Sequence, residues 1–144
     1  MLPLFNERGD LPPGVHQASL TEFEPRFGEG MVRRSLIRTL RHLHALALRT
    51  AHLERFLVFG SFVTAKEVPG DVDIVLVMDE GFVLETAPRE SRTIFSHADA
   101  DARYGASVFW VRRGVLPDTD MSAFLEFWQT RRDGNKRGIV EVTS

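Results

Sequence analysis

The chain has no cysteine, which excludes disulfides and thiolate metal sites alike. No apolar run approaches the ~18 residues that a membrane-spanning helix needs. Charge of one sign is lacking too: 18 Lys and Arg stand against 20 Asp and Glu, for a formal net charge of −2. That balance argues against a surface built throughout to grip nucleic acid. Residues 1–10 hold no long apolar segment and carry two acids, Glu7 and Asp10, so no signal peptide is expected there. The expectation is a cytoplasmic protein without a membrane role. At 144 residues, 43% hydrophobic and 26% charged, the chain fits one domain with a real core.

Residues 1–15 are rich in Pro and Gly and read as an extended arm, reaching to about residue 18. Ser19 or Thr21 suits the N-cap of a short helix through Phe23, with Glu22 and Glu24 in its first turn. Leu36, Leu40, Leu43 and Ala47 fall at helical spacing, widened by Ile37, and predict a long helix from 31 to about 53. Strands follow at 56–59 and 72–78. Pro88 suits the first turn of a helix running into Phe95 or on to Arg103. A third strand is expected at 106–111. A helix at 122–131 turns Phe124, Leu125 and Trp128 inward and is ended by Asp133-Gly134, and a last short strand fits 138–142. No repeat or domain boundary interrupts this pattern, so residues 1–144 read as a single domain. The fold class is α/β (α+β), a small mixed β-sheet packed with helices.

The chemistry concentrates in two stretches. Leu57-Val58-Phe59-Gly60-Ser61 is an apolar strand running into a Gly-Ser turn, and Asp71-Val72-Asp73 opens the next strand. Side chains alternate along a strand, so Asp71 and Asp73 project on one side, roughly 6–7 Å apart. Like charges that close are costly unless a cation lies between them, and hard oxygen donors suit Mg²⁺, or Mn²⁺. Gly60 lets the backbone turn sharply. Ser61 offers a hydroxyl and an N–H near a helix start, where phosphate binds well. The plainer alternative is that the two acids only solubilise a strand mouth. Lys66 either reaches a triphosphate or is a surface lysine before Pro69-Gly70.

Gly-Ser, a short spacer and Asp-x-Asp at a strand start resemble the signature of the nucleotidyltransferase superfamily that includes DNA polymerase beta. More specifically, the chain resembles a family of small bacterial and phage nucleotidyltransferase-like proteins. The marks are Leu11-Pro12-Pro13-Gly14-Val15-His16, Phe23, Arg26-Phe27-Gly28, Gly60-Ser61-Phe62-Val63-Thr64-Ala65-Lys66 and Arg103-Tyr104-Gly105. They continue with Phe127-Trp128-Gln129, Arg132-Asp133-Gly134 and Lys136-Arg137-Gly138-Ile139-Val140. The resemblance implies a minimal nucleotidyltransferase fold that moves a nucleoside monophosphate from a nucleoside triphosphate to an acceptor. Gly60, Ser61 and Lys66 would hold the phosphates, and Asp71 and Asp73 the metal. It also implies a third carboxylate, and by register that position is Ser107, neither a base nor a strong metal ligand. Asp99, Asp101 and Asp79 remain the acids that could stand in. Two readings therefore stay open: an active transferase, or a nucleotide- or partner-binding module impaired in catalysis.

Arg33, Arg34, Arg38, Arg41, Arg49 and Arg55 cluster around the long helix with only Glu54 as an acid. They could face RNA, DNA or an acidic partner, or pair with acids elsewhere. The resemblance admits a helical toxin-like protein partner, in toxin–antitoxin style. His42 and His44 point to different sides of a helix, so no zinc site is expected. Of the aromatics, Tyr104 is the candidate for stacking on a base, while Phe109 and Trp110 read as core, and Phe124, Phe127 and Trp128 as core or interface.

Overall fold

The computed structural model describes residues 1–115 and 118–143. The first strand, β1 (Val15–Ser19), leads directly into helix α1 (Leu20–Phe27). Ser19 is the cap: its hydroxyl accepts from the Glu22 N–H while the Glu22 carboxylate accepts from the Ser19 N–H. This reciprocal box satisfies two helix-end donors at once.

Helix α2 (Met31–Leu48) follows, then β2 (Leu53–Phe59), a 3-10 turn at Ser61–Val63 and β3 (Val72–Met78). Two short helices, α3 (Arg89–Arg92) and α4 (His97–Tyr104), precede β4 (Ala106–Arg112). Helix α5 (Asp118–Gln129) and β5 (Ile139–Thr143) complete the described elements.

The five strands form one mixed sheet in the order β1-β5-β2-β3-β4. The β1/β5 and β3/β4 pairs are parallel, and β2 runs antiparallel to both β3 and β5. Each face carries its own core. Helices α1, α2 and α4, with a 3-10 turn at Thr93–Phe95, cover Phe56, Val58, Val72, Ile74, Leu76 and Val140 on one side. On the other, Leu57, Val75, Val77 and Ile139 lie beneath Met121, Phe124, Leu125 and Trp128 of α5. Burial on both faces explains why β3 reads as a continuous apolar run after Asp73.

β2 begins at Leu53 rather than Phe56 and α5 ends at Gln129 rather than Arg131, and three further expectations change for visible local reasons. The arm is not free: Leu11 is fully buried, Phe5 packs on Phe27, and the stretch from Val15 onward is already in the sheet. The long helix stops at Leu48 rather than near 53. There the Thr50 hydroxyl donates to the Ala47 carbonyl, and Ala51 turns left-handed at φ 62°. The helix expected from Pro88 is broken in two, because Ser96 leaves helical geometry and caps α4 by accepting from the Asp99 N–H.

Candidate nucleotide-binding cleft

The cleft opens where β2 ends and β3 and β4 begin. Phe59, Asp73 and Ser107 are register partners across the three strands, so their side chains share the face that α5 only partly covers. Asp71, two residues before Asp73, lies on the same side and accepts a hydrogen bond from the Ser107 hydroxyl at 3.3 Å. Burial, then the adjacent Asp71, pushes the Asp73 carboxyl up to about 6, with the Ser107 hydroxyl and Arg137 pulling the other way.

Gly60 sits directly under this pair. Its φ is 80°, and a Cβ added there would overlap the Asp73 carboxylate. The glycine is therefore required both by its left-handed backbone and by the closeness of the acid. Ser61 begins the 3-10 turn that follows, and Thr64 closes it by donating its hydroxyl to the Ser61 carbonyl.

The segment beyond the turn is held from beneath by Arg33. Its guanidinium donates to the carbonyls of Phe27, Phe62, Thr64 and Lys66 at 2.6–2.9 Å and is 7% exposed. Burial lowers its pKa from the usual guanidinium range. Arg33 thus shapes the loop that carries Ser61 and Lys66, and its charge is turned inward rather than to the surface. Of the other arginines in the cluster, Arg41 pairs with Glu24, Arg49 with Glu90 and Arg55 with Glu141. Arg34 and Arg38 are left as the outward cations of that group.

The cleft holds about 800 Å³. Ser61, Lys66, Asp73 and Ser107 line its floor, and two further walls rise from elsewhere in the chain. One is aromatic: Phe59, Phe109 and Trp128 pack within 4.7–6.3 Å of one another, with Phe127 against Trp128 at 5.0 Å. The indole N–H of Trp128 is buried without a hydrogen-bond partner among the described residues.

The other wall is cationic, formed by Arg131, Arg132 and Arg137 on a hairpin after α5. That hairpin is set by the Thr130–Lys136 bridge and by Gly134 at φ 85°. Asp10, buried at 3% exposure, accepts from Arg131 at 3.1 Å and lies 3.9 Å from Arg137. Arg137 is held below its usual range, first by burial and then by Arg131, with Asp10 and Asp73 offsetting part of the effect. A basic side cavity continues past Ser61 and Lys66 to Arg8.

The structure brings Gly60, Ser61, Lys66, Asp73 and Ser107 together at one cleft, and Asp71 adjoins it through its hydrogen bond with Ser107. Among the described residues it brings no third acid beside Asp71 and Asp73. Asp99 and Asp101 are exposed on α4, and Asp79 lies past the far end of β3, bonded to His52 Nδ1 at 2.8 Å. Among the described residues no group of three His, Asp or Glu side chains converges as a metal site. Tyr104 does not line the cleft: its hydroxyl shares a hydrogen bond with Thr93. Phe109, read as core, is instead 38% exposed and faces the cleft, as does Phe127 at 66%. The walls built from 127–137 are the cleft-lining residues that sequence reasoning did not place there. Their only signal was the Phe-Trp-Gln, Arg-Asp-Gly and Lys-Arg-Gly marks, which carry no chemistry until α5 places them.

A mixed α/β domain with two carboxylates between an aromatic and a cationic wall is what fold and cleft define. Residues 3–143 match the family of unknown function DUF6932, and the chain belongs to that family. No curated protein and no solved structure matches it. Among the described residues, no helix is long and apolar enough to cross a membrane.

Proposed function

We propose that this chain binds a nucleoside triphosphate with Mg²⁺, or Mn²⁺, in the manner of the nucleotidyltransferases it resembles. We further propose that it transfers the nucleotidyl group poorly to an outside acceptor. The observation that carries the reading is the juxtaposition of Asp71 and Asp73 with the Gly60-Ser61 turn, between the two walls. Ser61, Lys66, Arg131 and Arg137 would neutralise the phosphates, and Phe109 and Phe127 offer faces to a base. The donor set fits a hard cation: two carboxylates on one sheet face, whose repulsion a dication relieves and whose remaining coordination sites phosphate oxygens and water can fill. When bound, such a cation supplies charge neutralisation at the phosphates. Ser107 supports the weak-transfer half, since it stands in register where an activating carboxylate would be needed. The cytoplasm, which supplies both triphosphates and Mg²⁺, is the compartment this reading requires.

Titrating nucleoside triphosphates while following Trp128 fluorescence, with Trp110→Phe as background, tests the proposal. Mg²⁺ is expected to tighten binding, and Asp73→Asn to remove most of that gain, on the order of 10²-fold. Identical affinities with and without Mg²⁺ in both proteins would defeat the metal role. A second reading, efficient transfer to a partner protein or RNA, draws on the open rim, where Phe127 and Arg132 are exposed. Repeated turnover of α-labelled triphosphate onto an added acceptor would decide in its favour.

A further inference from the structure

We propose that Ser107 is itself a nucleotidyl acceptor, so that the chain modifies its own β4 with a nucleoside monophosphate. The inference rests on the triphosphate-binding reading above and concerns where the nucleotidyl group goes.

Three hydroxyl-bearing side chains line the cleft: Ser61, Ser107 and Thr130. They differ in what they face. The Thr130 hydroxyl is spent on the Glu126 carbonyl at 2.9 Å. Ser61 lies on the turn assigned to the phosphate tail. Ser107 alone among them donates to a carboxylate, Asp71 Oδ2 at 3.3 Å, and it is the direct cross-strand neighbour of Asp73. A hydroxyl bonded to a carboxylate is the arrangement by which a weak nucleophile is activated. Asp71 and Asp73 would hold the cation, which would supply charge neutralisation at the phosphates beside this hydroxyl. At the position where the resembling enzymes need a group to activate an acceptor hydroxyl, this chain carries a hydroxyl of its own.

The step balances without a further reactant beyond the triphosphate and the divalent cation. Ser107 Oγ bonds to the α-phosphorus, and its proton passes to Asp71. The bond from the α-phosphorus to the bridging oxygen breaks, and its electron pair leaves with pyrophosphate. The product is a phosphodiester on Ser107. Phe109, two residues further along the same strand face, lies where the attached nucleoside could rest on an aromatic ring. The product consumes the only acceptor, so the reaction runs once per chain.

The test incubates the full chain with each of the four ribonucleoside triphosphates, labelled at either the α- or the γ-phosphate, in MgCl₂ or MnCl₂. Intact-mass and peptide mass spectrometry read the result. Expected is a gain of one nucleoside monophosphate per chain on Ser107, with α-label retained, γ-label absent and an equal amount of pyrophosphate released. Ser107→Ala should lose the label while still binding nucleotide by Trp128 fluorescence. Asp71→Asn should slow labelling by at least about 10²-fold, the usual value of general-base assistance. Peptide mapping of the unmodified chain gives the answer even if a variant fails to fold. Nucleotide binding without a mass gain, or an adduct on another residue, overturns the inference and leaves the binding reading intact. No fluorescence response and no mass gain with any of the four overturns both.

Discussion

At the scale of single residues, the cleft is governed by how two carboxyls and a glycine share one corner. Asp73 is raised from its ordinary 3.8 to about 6 in the folded chain. Between those values the folded state holds a proton that the unfolded state has released. The stabilisation from this group is complete below pH ~4, declines as pH rises and is gone above pH ~6. Asp73→Asn should therefore stabilise the nucleotide-free protein at pH 8, by about 1–2 kcal/mol, since the carboxyl keeps some contact with water. At pH 4 the two proteins should be nearly equal. Urea denaturation in a chelating buffer at both pH values measures this. A variant no more stable than the parent at pH 8 would show that the Asp71–Asp73 repulsion is relieved some other way.

Elements explain why this corner exists and why part of it could be read in advance. β3 is observed at the bounds its sequence predicts, Val72–Met78, because an unbroken apolar run after two acids leaves few other registers. The end of α2 was hidden: a left-handed alanine has no glycine to announce it. The aromatic and cationic walls were hidden for a different reason. Their residues become neighbours of Asp73 only when α5 docks on the second sheet face, which is a matter of tertiary packing. Arg33 was legible as a charge and misleading as a surface one, because its four carbonyl partners lie on two separate segments. Arg33→Met should cost on the order of 3 kcal/mol in stability, through buried carbonyls left without donors. It should also weaken triphosphate binding, although the side chain never touches the cleft. Denaturation midpoints and the Trp128 titration measure both effects, and an unchanged midpoint would refute the scaffold role.

For the whole molecule, β5 is the strand on which most depends. It separates β1 from β2, and it contributes Val140 and Val142 to one core and Ile139 to the other. Removing 139–144 should abolish cooperative unfolding rather than shift it, since β1 then has no strand to pair with and both cores lose buried side chains. A circular dichroism melt with an intact sigmoidal transition would contradict this. The same placement bears on the order of events in time. A ribosome makes Val15–Ser19 more than a hundred residues before Ile139–Thr143, yet among the described residues β5 is the only strand β1 pairs with. Throughout synthesis the first strand waits with its edge unsatisfied, and such distant pairing is slow and open to misassociation. Of the five strands, β1 is translated before the rest and seated after them, and Asp10 closes on Arg131 of the basic wall only when the later part of the chain arrives.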